Sequence, residues 1–116
     1  MAERINRIAE EMKKLISNIV QNELKDPRLS GLTSIVAVDV TKDLRYAKVY
    51  FSVLGSEEDR KNTHEALKNA AGFIRREVGR RLEIRYTPEL VFEPDKSIEH
   101  GAYISKLIND TLNKEK

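Results

Sequence analysis

The sequence has no cysteine and no tryptophan, and it holds only three prolines and five glycines in 116 residues. Without cysteine there can be no disulfide, no thiolate metal site and no cysteine nucleophile. No apolar stretch approaches the ~18 residues that a membrane-spanning helix needs. The opening Met1-Ala2-Glu3-Arg4 runs straight into charge and lacks the apolar segment of a signal peptide, so a cytoplasmic protein that avoids membranes is expected. Absent too are G-x-x-x-x-G-K-[ST], G-x-G-x-x-G and H-E-x-x-H, the patterns that build phosphate loops, dinucleotide sites and zinc peptidases. His64 and His100 could move protons near neutral pH, but neither stands beside a nucleophile motif. The expectation is a protein without catalysis, metal or cofactor.

What the chain does have is charge. At 34% charged and 40% hydrophobic residues it is too apolar for wholesale disorder and has enough material for one core under a charged surface. The length fits a single domain, residues 1–116. The formal net charge of +2 conceals an uneven distribution, because residues 60–85 carry eight basic side chains against three acidic ones. A run of arginines in a near-neutral protein is an electrostatic footprint, and phosphate is the commonest partner for one. The plain alternative is a solvated helix face whose charges maintain solubility.

Ile5, Ile8, Met12, Leu15, Ile16, Ile19 and Val20 recur at three- and four-residue steps, which predicts an amphipathic helix over residues 3–24. Asp26-Pro27-Arg28 stops it, since the residue before proline is pushed out of helical geometry. Ser30-Gly31 makes a turn. Residues 34–40 read as a strand with Val36, Val38 and Val40 on one face, and Thr41 to Leu44 as a reversal. Residues 45–54 read as a second strand, with Ala47, Val49, Phe51 and Val53 alternating with Tyr46, Lys48, Tyr50 and Ser52. An antiparallel hairpin follows. Ser56 with Asp59 three residues on resembles a helix N-cap. A helix then runs to Ala70, Gly72 interrupts it, and a second helical stretch continues to about Arg81. Leu90 to Phe92 is a short third strand, and Ile98 to Leu112 a final helix.

On the arginine-bearing segment, Ile74, Val78 and Leu82 form one stripe, and Arg76 and Arg80 lie almost opposite it. Arg75 and Arg81 flank the stripe, while Gly72 and Gly79 stand beside the Arg pair. Small residues there let a sugar-phosphate backbone approach, and guanidinium forks match phosphate oxygens. Alternatively, Gly79 relieves crowding and the arginines pair with Glu77 and Glu83. The face formed by Tyr46, Lys48 and Tyr50 could stack bases, although it reads more simply as cross-strand packing.

The order helix-strand-strand-helix-helix-strand resembles an α+β, type II KH-like domain, followed here by a C-terminal helix. The G-x-x-G loop that clamps nucleotides in KH modules is replaced by an Ala70-Ala71-Gly72 kink. That kink within Asn69-Ala-Ala-Gly-Phe-Ile-Arg75 resembles the bacterial ribosome-binding factor A family. So do Leu24-Lys-Asp-Pro-Arg-Leu29, Asp43-Leu-Arg-Tyr-Ala-Lys-Val-Tyr50 and Pro88-Glu-Leu90, and the similarity spans about residues 3–112.

The resemblance implies a monomeric assembly factor that binds the immature 30S subunit and 16S rRNA. It implies support for late rRNA maturation, greatest importance in the cold, and departure with the help of a GTPase. The candidate RNA contacts are Lys68, Arg75, Arg76, Arg80 and Arg81 on the helix, Arg45 and Lys48 on the second strand, and Lys25 and Arg28 after the first helix. A general RNA-binding protein of KH or RRM type and a protein-protein adaptor are the alternative readings.

Overall fold

The computed structural model describes residues 2–29 and 32–95. In chain order the elements are α1 (Ala2–Asn22), β1 (Thr33–Val40), β2 (Tyr46–Val53), α2 (Glu57–Leu82) and β3 (Glu89–Pro94). The strands form one sheet in the order β1-β2-β3, with β1 antiparallel to β2 and β3 parallel to β2. A parallel neighbour needs a crossover connection, and α2 supplies it. Both helices pack on one face of the sheet, giving two layers around one core.

The core follows from the apolar periods. Met12, Ile16 and Ile19 of α1 and Leu67, Ile74 and Val78 of α2 are fully buried against Ala47, Val49 and Phe51 of β2. Each large aliphatic side chain so placed contributes roughly 1.5–3 kcal/mol. The hairpin turns through Thr41 to Arg45. The Thr41 hydroxyl donates to Asp43 Oδ1 at 2.7 Å, and the Arg45 amide donates to the same oxygen at 3.1 Å. These two donors hold the Asp43 carboxyl below its ordinary pKa. Leu44 takes a left-handed φ of 60° in this turn.

In β1 the structure departs from simple alternation. Ile35 is opposite Phe51 and Ala37 opposite Tyr50, so Val36 is an extra residue in a β-bulge. The bulge shifts the inward set to Thr33 and Ile35 before it and Val38 and Val40 after it. Val36 therefore does not share the core face with Val38 and Val40, as strict period-two reading expects.

The second departure is α2. The expected separation into two helices at Ala70-Ala71-Gly72 is not present, because α2 runs without a break from Glu57 to Leu82. The order is therefore α-β-β-α-β over the described residues. Gly72 does not take a positive φ, and a Cβ added to it would meet nothing within 4 Å. A lone glycine costs a helix about 1 kcal/mol relative to alanine. Burial of Leu67 before it and of Ile74 and Val78 after it outweighs that cost, so the helix continues.

The ends of α2 are well defined. Ser56 and Asp59 form a reciprocal capping box at the start. Glu83, at a left-handed φ of 53°, closes the other end. The predicted Ser30-Gly31 turn and the helix over residues 98–112, with His100, lie outside the described residues.

Candidate nucleic-acid interface

The C-terminal half of α2 and the loop leading into β3 are tied together by two contacts. Arg75 donates from Nε and one Nη to the Thr87 carbonyl, at 3.2 and 3.0 Å. Gly79 faces the Thr87 side chain so closely that an added Cβ would collide with its hydroxyl. Here the glycine is required by space. The buried Pro88 then leads into β3, whose first amide, Glu89 N–H, donates to the Arg45 carbonyl at 2.8 Å.

Between these elements is a shallow depression of about 440 Å³ lined by Gly72, Arg75, Arg76, Arg85, Tyr86 and Thr87. Among the described residues, no carboxylate lines it. Arg75 is neutralised by no acid there, since its partner is a neutral carbonyl, and the Arg76 side chain makes no ion pair or hydrogen bond among the described residues. The Arg85 guanidinium lies over the Tyr86 ring, 5.5 Å from its centroid, and Tyr86 is 71% exposed. The arrangement offers three cations, a planar aromatic surface and a floor without a side chain. Those are the components that grip a sugar-phosphate backbone and its bases.

The nine cations nominated from the sequence are dispersed. Arg75 and Arg76 line the depression. Lys68 is exposed one to two turns earlier on α2, 4.0 Å from Glu65. Arg80 and Arg81 both reach Glu77, at 2.7 and 2.8 Å, and Arg81 also pairs with Glu23. The pairing with Glu77 is therefore real, whereas Glu83 takes no part among the described ion pairs. Arg28 is held by Asp26 at 2.8 Å, and Lys25 stands exposed on the same connection. Arg45 precedes β2 at the end of the sheet where β3 begins. Lys48 is on the outer sheet face, opposite Asp39 on one side and Val91 on the other. Arg85 and Tyr86 were outside the nominated set, because loop residues carry no periodicity. Their adjacency to each other and to Thr87-Pro88 was the available signal.

A larger hollow of about 1030 Å³ lies between the ends of β2 and β3 and the start of α2. Its rim mixes Glu57, Glu58 and Asp95 with Arg60 and Lys61, so it presents no uniform field to an anion. His64 borders it, with Nε2 2.9 Å from the Phe92 carbonyl and its ring 5.3 Å from that of Phe51. That placement makes His64 a tie between α2 and β3.

The two-layer architecture of the described residues, with a mixed three-stranded sheet under two helices, defines a small α+β fold with an arginine-lined surface. Within that class the chain belongs to the ribosome-binding factor A family, whose model matches residues 4–108. Ribosome-binding factor A of Acetivibrio thermocellus is 68% identical over 114 residues, which cover 98% of this chain and 93% of that protein. The crystal structure of ribosome-binding factor A from Thermus thermophilus is similar with a TM-score of 0.68 at 28% identity, covering 78% of this chain and 94% of that one. A homology model of the Thermus thermophilus factor, fitted into a cryo-EM map of a 30S complex, gives a TM-score of 0.65 at 28% identity, covering 79% and 96%.

Proposed function

We propose that this protein binds the immature 30S ribosomal subunit through its 16S rRNA and assists late rRNA maturation without catalysis. The observation that carries the reading is the arginine-lined depression, without a carboxylate among its described lining residues, on a member of the ribosome-binding factor A family. The fitting of a similar fold into a 30S complex supports the choice of subunit. Binding alone can favour one rRNA conformation over another, provided the affinities for the two differ. His64, held at the Phe92 carbonyl, is placed for structure and supports a reading without proton transfer. The same proposal has the protein act in the cytoplasm as a monomer and leave the subunit with the help of a GTPase.

Phosphate contacts make affinity fall with salt, so filter binding to a 16S rRNA fragment at several salt concentrations tests the reading. If about four phosphates are neutralised, log affinity falls against log salt with a slope near −3. Arg76→Ala reduces that magnitude by about 0.7, one phosphate's share on single-stranded RNA. Arg80→Ala reduces it less, because Glu77 already neutralises Arg80. Gradient fractionation of a lysate provides the second arm, with the protein expected in free and immature small subunits. Equal distribution across polysomes, or affinity indifferent to salt, overturns the proposal.

A further inference from the structure

Tyr86 is the most exposed aromatic among the described residues. Its ring stands 71% in solvent on the loop between α2 and β3, with a guanidinium over it and three cations around the depression beside it. A phosphate-collecting patch needs no aromatic. We propose that the depression over Gly72 holds one unpaired nucleotide, its phosphate on Arg75 and Arg76 and its base stacked on Tyr86. This deepens the RNA-binding reading above and rests on it.

The geometry supports each part. Arg75 is fixed in orientation by the Thr87 carbonyl, yet that neutral partner leaves its charge intact and its other N–H groups available. Arg76 has no competing acid among the described residues and follows it directly in the chain. Gly72 offers bare backbone, with nothing within 4 Å of where a Cβ would be, so a ribose-phosphate can come close. The Arg85 guanidinium over the Tyr86 ring continues the stack, a planar cation on an aromatic on which a base can lie. A volume of about 440 Å³ has room for one nucleotide. Bases inside a duplex have their faces occupied by neighbours, so only an unpaired base can reach Tyr86.

The test uses a short single-stranded RNA with one 2-aminopurine, the matching duplex as competitor, and the full chain as wild type, Tyr86→Ala and Tyr86→Phe. Wild type is expected to quench the probe on binding and to be displaced poorly by the duplex. Tyr86→Ala should weaken binding about tenfold, the usual scale of one lost base-aromatic stack, with the salt slope unchanged. Tyr86→Phe should bind within about twofold of wild type, since the ring remains. Melting curves confirm that both variants fold, as expected for an exposed loop side chain. Equal affinity for Tyr86→Ala and wild type, or equal competition by duplex, overturns the nucleotide site. A wild type that shows no salt-dependent RNA binding, or that does not pellet with small subunits, overturns the RNA reading itself, so the two failures are distinguishable.

Discussion

Arg81 and Glu23 are 58 residues apart in the chain, and two guanidinium nitrogens of Arg81 meet both carboxylate oxygens of Glu23 at 2.7 and 2.5 Å. The fork fastens the end of α2 to the end of α1. Glu77 joins from one turn back on α2, accepting from both Arg80 and Arg81. Two acids and two arginines thus neutralise one another in a cluster in which Arg81, Glu23 and Glu77 are largely buried and Arg80 is exposed.

Arg81→Ala therefore lowers the melting temperature more than Arg76→Ala does. Losing Arg81 leaves Glu23 without its guanidinium beside Glu77, which keeps only the exposed Arg80, and the two like charges then repel. Arg76 has no such partners, and its removal should shift melting by no more than about 3 °C, as for an ordinary surface change. Thermal unfolding of the two variants checks the order. RNA affinity should reverse it, falling more for Arg76→Ala.

The same cluster sets an acid limit. The Arg80 and Arg81 guanidinium groups hold the Glu77 carboxyl at about 2, below its ordinary 4.5, and Arg81 depresses Glu23 in the same direction. A depressed carboxyl binds its proton more readily in the unfolded chain, so its stabilisation is complete above pH 4.5 and is lost as pH falls toward 2. Denaturant titrations between those limits should show wild-type stability falling steeply. Glu77→Gln should be less stable than wild type above this window and fall less within it.

Much of this arrangement is legible in the chain because it is local. The stripe of α1 from Ile5 to Val20, the alternation in β2 and the Ser56-Asp59 capping box each declare themselves by spacing. The bulge at Val36 does not, because residues 35–38 are all apolar and either phase of alternation looks satisfied. Gly72 signals a break by composition, yet buried Leu67, Ile74 and Val78 settle the matter through contacts distant in sequence. The division of the arginines is equally non-local. Arg81 finds Glu23 just past the end of α1, while Arg75 finds the carbonyl of a loop, and neither partner is marked by spacing. Arg85 and Tyr86 enter the site only because Thr87 is pinned against α2.

That pin gives a prediction at Gly79. An added methyl group would drive into the Thr87 hydroxyl, and a β-branched side chain has little rotational freedom to withdraw. Gly79→Ala should cost roughly 1–3 kcal/mol as an overpacked contact, despite the better helix propensity of alanine. Adding Thr87→Ala should recover most of the loss. Chemical denaturation of the single and double variants measures both steps, and equal stability of Gly79→Ala and wild type would show that the loop yields freely.

At the end of α2, Glu83 occupies a position that favours glycine. Its φ of 53° brings Cβ against the following carbonyl, and its side chain is exposed. A left-handed residue with a Cβ costs roughly 1–2 kcal/mol, part of which glycine regains at the expense of a more flexible unfolded chain. Glu83→Gly should raise stability by about 1 kcal/mol without touching the core, and chemical denaturation of the variant measures the gain.

Gly72 separates stability from binding. It sits in the middle of a continuous helix, in ordinary helical geometry, with open space where a side chain would go. Gly72→Ala thus has no collision to set against its gain in helix propensity, and stability should rise by about 0.5–1 kcal/mol. The methyl group would nevertheless stand in the depression between Arg75, Arg76 and Tyr86, where close approach to bare backbone is needed. Affinity for unpaired RNA should therefore fall even as the melting temperature climbs by several degrees. Melting curves and RNA titrations on the same preparation decide between two outcomes. A fall in melting temperature would mean that α2 needs a glycine here for its own path. A rise with unchanged RNA affinity would mean that the floor of the depression is not where RNA comes closest.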